Sequence, residues 1–222
     1  DYAAGTLAAL AAEAADAAFF YNRSRSSYRN SWGLARGFFC PRAADGTFAC
    51  PADPVLDTKN YKEGNAWHYR FDVPHDPLGL AALFEASGLS LVNELRTFLD
   101  RAREYPGTAI PNPYFWVGNE HDLFHPYLFH YLGRADLAHE HVRWTLEHRF
   151  SAAPDGVPGN DDYGATSAWA VWAMLGLYPE PAGPHPPRYL LGSPSFAAVA
   201  LDVEGARVSL VAHGSCGACV FV

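Results

Sequence analysis

The chain has 222 residues, 49% of them hydrophobic, enough apolar material for a real core, and a formal net charge of -8 from 16 basic and 24 acidic residues. No basic run appears, which excludes the clustered Lys and Arg by which proteins grip nucleic acid or anionic membrane surfaces. The apolar stretch from Leu7 to Phe20 is interrupted by Glu13 and Asp16 and reads as neither a signal peptide nor a membrane span. The first residue is not Met and falls inside a helical pattern, so a piece of a longer protein is expected.

In chain order, residues 3 to 21 are Ala-rich with apolar positions all round and predict a buried helix; Asn22 to Trp32 continues as a second short helical piece. Asn22-Arg23-Ser24 satisfies the glycosylation triplet. Gly33 to Lys59, with three prolines and no clear period, predicts a long loop or a hairpin around Asp45-Gly46, in which Cys40 and Cys50 are placed to bridge if the protein is secreted. Asp76-Pro77 is an N-cap followed by Pro at the first helical position, opening Leu78 to Ala86 before Ser87-Gly88. Ser90 caps Leu91 to Glu104, which stops at Pro106-Gly107; Leu91, Leu95, Phe98 and Leu99 share one face. Three more helices are predicted: aromatic Asp122 to Leu132 ending at Gly133, amphipathic Ala135 to Phe150, and Ala165 to Leu177, apolar on every side and so buried.

Beyond Pro179 a proline-rich linker leads to short strands at Arg188 to Leu191, Ser195 to Val203, Arg207 to Val211 and Cys219 to Val222, with Glu204-Gly205 as a hairpin turn. So small a β segment cannot bury its own faces and is expected to complete a sheet formed elsewhere. Cys216 and Cys219 make a C-x-x-C with no second pair or His partner, which argues against a zinc or redox site. The fold class is therefore mainly α, helical hairpins followed by a short C-terminal β segment.

Three segments concentrate polar chemistry: Glu63-Gly64-Asn65, Gly118-Asn119-Glu120 and Gly159-Asn160-Asp161-Asp162, each beside aromatic residues. Gly lets backbone approach a ligand, Asn both donates and accepts, and the acid adds charge, a combination suited to sugars. Glu63, set among Tyr61, Trp67 and Tyr69, is expected to be partly desolvated and so to suit a general acid, and Trp67 and Tyr69 could stack on a sugar face. Adjacent Asp161 and Asp162 stand at a helix start, either as caps or as a base held ionised by the helix dipole. Gly118-Asn119-Glu120-His121-Asp122 gathers hard oxygen donors of the kind calcium prefers. His121 and His125 have helical i, i+4 spacing but lack the Glu of the His-Glu-x-x-His zinc motif.

Taken in order, Tyr61 to Tyr69 with Val73-Pro74-His75-Asp76, Gly118-Asn119-Glu120 with Pro126-Tyr127-Leu128-Phe129, and Pro158 to Trp169 with Leu175 to Pro179 resemble the C-terminal part of a glycoside hydrolase family 92 α-mannosidase. The resemblance runs from about Tyr21 to Pro194. It implies a calcium-dependent, inverting exo-α-mannosidase, often α-1,2-directed, acting on N-glycans or mannans in the secretory pathway, periplasm or outside the cell. It further implies that residues 1–180 belong to an (α/α)6 toroid, that 181–222 complete a sheet, and that a β-sandwich and the first toroid helices lie outside this sequence. By motif match Glu63 is the acid and Asp162 the base with Asp161 beside it; Asn119 and Glu120 mark the calcium region, and Trp67, His68, Asn160 and Trp169 the sugar contacts. Where the family usually has two His after the second motif this chain has Leu123 and Phe124, which favours a competing reading, a non-catalytic mannose-binding module.

Overall fold

The computed structural model describes residues 1–56, 58–105, 112–181 and 186–212. The expected strand at Cys219 to Val222, the C-x-x-C pair and the Pro106-Gly107 stop lie outside these residues. The chain is mainly α with a short C-terminal β segment and divides into two compact units, Asp1–Trp116 with Glu180–Arg188, and Val117–Pro179 with the segment from Tyr189 onward.

The first unit opens with helices α1 (Tyr2–Leu10) and α2 (Ala14–Ser27) rather than one long helix. Ala12 has a φ of 62°, a left-handed conformation that ends the helical run. The pair packs through Gly5, where a Cβ would meet the Tyr21 ring at 2.8 Å, and through the Tyr21 hydroxyl, 3.2 Å from Thr6. Leu7, Leu10 and Phe19 remain exposed, so the expected burial is confined to Gly5, Thr6, Ala17 and Ser24. The glycosylation triplet falls within α2 with its Ser24 buried, not in the surface loop that such an acceptor needs.

A 3-10 turn at Tyr28–Ser31 leads into β1 (Trp32–Gly33), antiparallel to β2 (Phe38–Phe39). The Asp45-Gly46 hairpin follows: Arg42 bridges Phe48, and Asp45 accepts from the Thr47 amide. A disulfide joins Cys40 and Cys50 across it. Next come α3 (Ala66–Tyr69), α4 (Pro77–Ala86) and α5 (Leu91–Ala102), with side-chain caps at Asn65, Asp76 and Ser90. Leu80, Phe84, Leu95 and Phe98 are fully buried, as the pattern of α4 and α5 requires.

Arg70 lies at the centre of this core with its side chain 2% exposed. Its guanidinium donates to Glu94 at 2.6 Å and to the Gly37 carbonyl at 2.7 Å. It also packs over the rings of Phe38, Trp67 and Phe84 at 4.2 to 4.8 Å. Burial lowers its pKa, and the carboxylate of Glu94 offsets part of that.

In the second unit the expected aromatic helix is two 3-10 segments, Glu120–Asp122 and His125–Leu132. Pro126 enters at the start of the second, and Gly133 ends it in a left-handed conformation (φ 68°). Helix α6 (Ala135–Arg149) follows, then α7 (Ala165–Leu175), closed by Gly176. Helix α7 buries Thr166, Trp169, Ala170 and Ala173 but exposes Val171, so it is covered along one side only.

The sequence pattern did not reveal β3 (Leu177–Pro179), which follows α7 at once and pairs antiparallel with β4 (Tyr189–Leu191). The return is fixed on three sides: Gly192 donates to Gly176, Ser195 to Met174, and Arg143 to the Pro194 carbonyl at 3.0 Å. Strands β5 (Ala198–Val203) and β6 (Ala206–Val211) form the expected hairpin, with Glu204 and Gly205 both at positive φ. Among the described residues, no single helix is long and apolar enough to cross a membrane.

Replacing Arg70 by Lys removes the planar fork that serves Glu94 and Gly37 together and is expected to cost about 2 kcal/mol or more in urea unfolding. His130, half-buried near His139, has its pKa pulled down by burial and then by His139, from 6.5 to about 4. Its folded pKa is below its unfolded one, so its contribution is full above pH 6.5 and is lost as pH falls toward 4. Solvent screening at a half-exposed ring limits that contribution to about 1 to 2 kcal/mol. The melting temperature of His130→Gln should therefore vary less between pH 7 and pH 4 than that of the parent protein.

Candidate functional site

The Glu63 turn in the first unit is set by Asn65. This residue, 3% exposed, accepts from the backbone N–H groups of Trp67 at 2.9 Å and His68 at 3.4 Å, which starts α3. Its amide donates to the Pro113 carbonyl at 2.8 Å and the Val55 carbonyl at 3.2 Å, anchoring the turn to two other segments. Glu63 has a φ of 54°, unusual for a residue other than Gly and a sign of a backbone held for a purpose. Its side chain is 58% exposed, with Lys62 3.6 Å away. The desolvation expected from its aromatic neighbours is not what the structure shows, because those rings face elsewhere.

Trp67 lies nearly parallel to Phe98 (centroids 6.1 Å apart, 5° between planes), meets Phe38 edge-on and carries the Arg70 cation. His68 is fully buried; its Nε2 donates to the Asn112 carbonyl at 2.9 Å, and its ring stands edge-on to Phe98. Of these two expected sugar contacts His68 lies in the core of the first unit, and Trp67 packs at its edge, partly exposed.

In the second unit the other two motifs touch. A Cβ on Gly159 would collide with the Gly118 carbonyl oxygen and lie 2.9 Å from the Gly118 Cα, and Gly159 itself is at φ 75°. Only glycine fits there, and the fit lays the Asn119-Glu120 loop directly against the Asn160-Asp161-Asp162 loop. Asn119 is buried, and its carbonyl accepts from the Asp122 amide at 3.1 Å; Glu120 is exposed. Asp122 and His125, fully buried, pair at 3.1 Å and brace this loop from beneath.

Asp161, Asp162, Tyr163 and Gly164 have φ of 61°, 36°, 59° and 88°, a run of left-handed residues immediately before α7. Asp161 accepts from the Ser167 amide at 2.8 Å, so one acid caps the helix. The Asp162 carbonyl accepts from the Ala165 amide, while its carboxylate makes no hydrogen bond or ion pair among the described residues. Asn160 is exposed. Trp169 is 2% exposed: its indole donates to the Leu123 carbonyl at 2.9 Å and its ring stacks on Phe150, so it supports this corner from within the core. Asn119, Glu120, Asp161 and Asp162 carry oxygen donors of the hard kind that calcium prefers, on two segments whose glycines touch. The Gly118–Gly159 approach was not foreseen, and the doubled Gly-Asn pair was the sequence signal that could have suggested it.

These helices and acid-bearing turns have the form of a glycosidase catalytic domain, and known proteins agree. The chain superposes on a family GH92 α-mannosidase from Bacteroides thetaiotaomicron with a TM-score of 0.78 and 26% identity, over 96% of this chain and 28% of that one. It superposes on a GH92 inverting mannosidase from B. thetaiotaomicron VPI-5482 with a TM-score of 0.79 and 25% identity, covering 97% of this chain and 31% of the other. An uncharacterized secreted glycosidase of Arthroderma benhamiae is 30% identical over 177 residues, 74% of this chain and 21% of that protein. Residues 1–217 match the model of the glycosyl hydrolase family 92 catalytic domain, and the chain belongs to that family. It spans only about a fifth to a third of the length of these relatives.

Gly159→Ala forces a side chain against the Gly118 backbone at positive φ and should lower stability by about 2 kcal/mol or more. Gly133→Ala, at a similar φ of 68° with nothing within 4 Å, should cost clearly less by thermal melting.

Proposed function

We propose that the full-length protein is a calcium-dependent, inverting exo-α-mannosidase that removes mannose, α-1,2-linked, from N-glycans or mannans. The observation that carries this reading is the Gly118–Gly159 approach, which joins the Asn119-Glu120 and Asp161-Asp162 loops of a family 92 chain into one oxygen-rich corner. In the proposed mechanism Glu63 protonates the glycosidic oxygen, and Asp162 takes a proton from the water that attacks the anomeric carbon from the opposite face. Two carboxyl groups far enough apart to admit that water give inversion. Asp161, committed to the Ser167 amide, holds the strained turn that presents Asp162, which favours Asp162 over Asp161 as base. The Glu63 side chain, 58% exposed beside Lys62, is accessible to a ligand. Asn119 and Glu120 would hold calcium, which would supply a Lewis acid to bind and polarise sugar hydroxyls. In this reading the exposed Asn160 would hydrogen-bond the sugar, while Trp67, His68 and Trp169 would act by supporting the turns.

The rest of an (α/α)6 toroid and a β-sandwich are assigned to the portion of the protein outside this sequence. A secretory or extracellular location accords with the Cys40–Cys50 disulfide and with the relative described as secreted. The alternative, a mannose-binding module without hydrolysis, draws on the buried Phe124 in place of a family His.

In the full-length protein, Glu63→Gln and Asp162→Asn should each reduce mannose release by roughly 10²- to 10⁴-fold, and Asp161→Asn should reduce it less. Chelation of calcium should abolish release until calcium is restored. Wild-type turnover in the Glu63 or Asp162 variant would overturn those roles. Calcium-dependent mannose binding with no release by the parent protein would favour the binding module.

A further inference from the structure

Three buried polar atoms of the second unit have no hydrogen-bond partner among the described residues: the Tyr127 hydroxyl, the His130 Nε2 and the Ser193 hydroxyl. They come from two separate stretches of chain, the 3-10 segment His125–Leu132 and the return after β4 (Tyr189–Leu191). All three residues line one small cavity of about 10 Å³, whose other walls are apolar side chains, glycines and His139. His139 is engaged, its Nε2 lying 3.2 Å from the Leu191 carbonyl. Tyr127 is 2% exposed with its ring stacked on Tyr178 at 3.8 Å, which fixes where its hydroxyl points. None of the roles above uses this cavity.

A polar group that leaves water without gaining a partner is destabilising, and native proteins hold few of them. Three such groups around one space call for a shared partner. Size limits what it is, since about 10 Å³ is room for roughly one water molecule and excludes a sugar or a phosphate. Charge limits it further: among the described residues no Asp, Glu, Lys or Arg lines the cavity, so an ion of either sign would be buried without a counter-charge. Burial and then His139 pull the His130 pKa down to about 4, so the ring is neutral at pH 7 and its Nε2 donates or accepts according to tautomer. The two hydroxyls also do either. A partner that both donates and accepts meets every combination, and a buried water typically makes about three hydrogen bonds.

We propose that this cavity is an internal water site, in which one ordered water bridges the Tyr127 hydroxyl, the His130 Nε2 and the Ser193 hydroxyl. The water ties the 3-10 segment that follows the Asn119-Glu120 motif to the return after β4, a polar link beside the Tyr127–Tyr178 stack. The site is independent of the acid, base and calcium roles.

The test uses the full-length protein, by crystallography and thermal melting. The parent structure should show one density peak at about 2.7 to 3.2 Å from all three atoms, without the anomalous signal of a metal or chloride. Removal of a hydroxyl gives a second readout, because its sign differs between the two cases. Tyr127→Phe and Ser193→Ala each take a partner from the water and should lower the melting temperature by about 1 °C or more. Deleting a buried hydroxyl that bonds to nothing leaves the melting temperature unchanged or raises it. In the double variant the water keeps one of its three side-chain partners, and the peak should be lost. Parental or higher melting temperatures in both single variants overturn the site. So does a parent structure in which the three atoms bond to one another, to another segment of the protein or to an ion, and that structure decides the matter where a variant fails to fold.

Discussion

The first unit depends on a cation buried among rings. Arg70 sits at the C-terminal end of α3, and its one guanidinium serves the β1–β2 hairpin through the Gly37 carbonyl, α5 through Glu94 and α4 through the face of Phe84. A guanidinium taken out of water at this depth costs several kcal/mol unless its charge and its hydrogens are both answered. The carboxylate answers the charge, the carbonyl a hydrogen, and the electron-rich faces of Phe38 and Trp67 part of what hydration would have supplied. Because Trp67 and His68 are packed into this assembly and both are capped by Asn65, the position of the Glu63 turn follows from it. Between the acid and the cation the chain has only Gly64, the cap Asn65 and the four-residue α3.

The second unit buries the Asp122–His125 pair and relies besides on stacked rings and close backbone approaches. Tyr127 and Tyr178 lie 3.8 Å apart at 17°, and burial raises the pKa of both. Their stack connects the segment after Asn119-Glu120 to β3, just as the Trp169 indole connects Leu123 to α7. Two glycine contacts complete the arrangement: Gly176 against Pro194 returns the chain beneath α7, and Gly159 against Gly118 brings the acid-bearing loops together. Neither place tolerates a Cβ without displacing backbone.

What the sequence disclosed follows from which signals are local. The caps at Asp76 and Ser90 and the apolar face of α5 were legible because each is decided within one helical turn. The hairpin at Glu204-Gly205 was legible for the same reason. Ala12 was not, since nothing about alanine announces a left-handed residue; the break appears only once Gly5 and Tyr21 need to meet. The 3-10 geometry of His125–Leu132 was also hidden, because an aromatic run with Pro126 reads the same in either helix type. At the site, residue chemistry identified the three motifs. It misjudged Glu63: Trp67 turns toward Phe38, Phe98 and Arg70, Tyr61 and Tyr69 pair with each other, and the Glu63 side chain stays 58% exposed.

The two adjacent acids show how one local constraint can separate roles that sequence leaves tied. Both stand before α7, and either could cap it. With Asp161 to Gly164 all left-handed, the chain reverses so tightly that the Asp161 carboxylate meets the Ser167 amide while its neighbour cannot also reach the helix end. Non-glycine residues in that conformation cost about 1 to 3 kcal/mol each, and the cap recovers about 1 kcal/mol. The turn is thus a net expense to stability, and its effect is to leave Asp162 without a structural partner, next to the loop of Asn119 and Glu120. A carboxylate without a structural partner keeps its hydrogen-bonding capacity open, which the base role proposed for Asp162 requires.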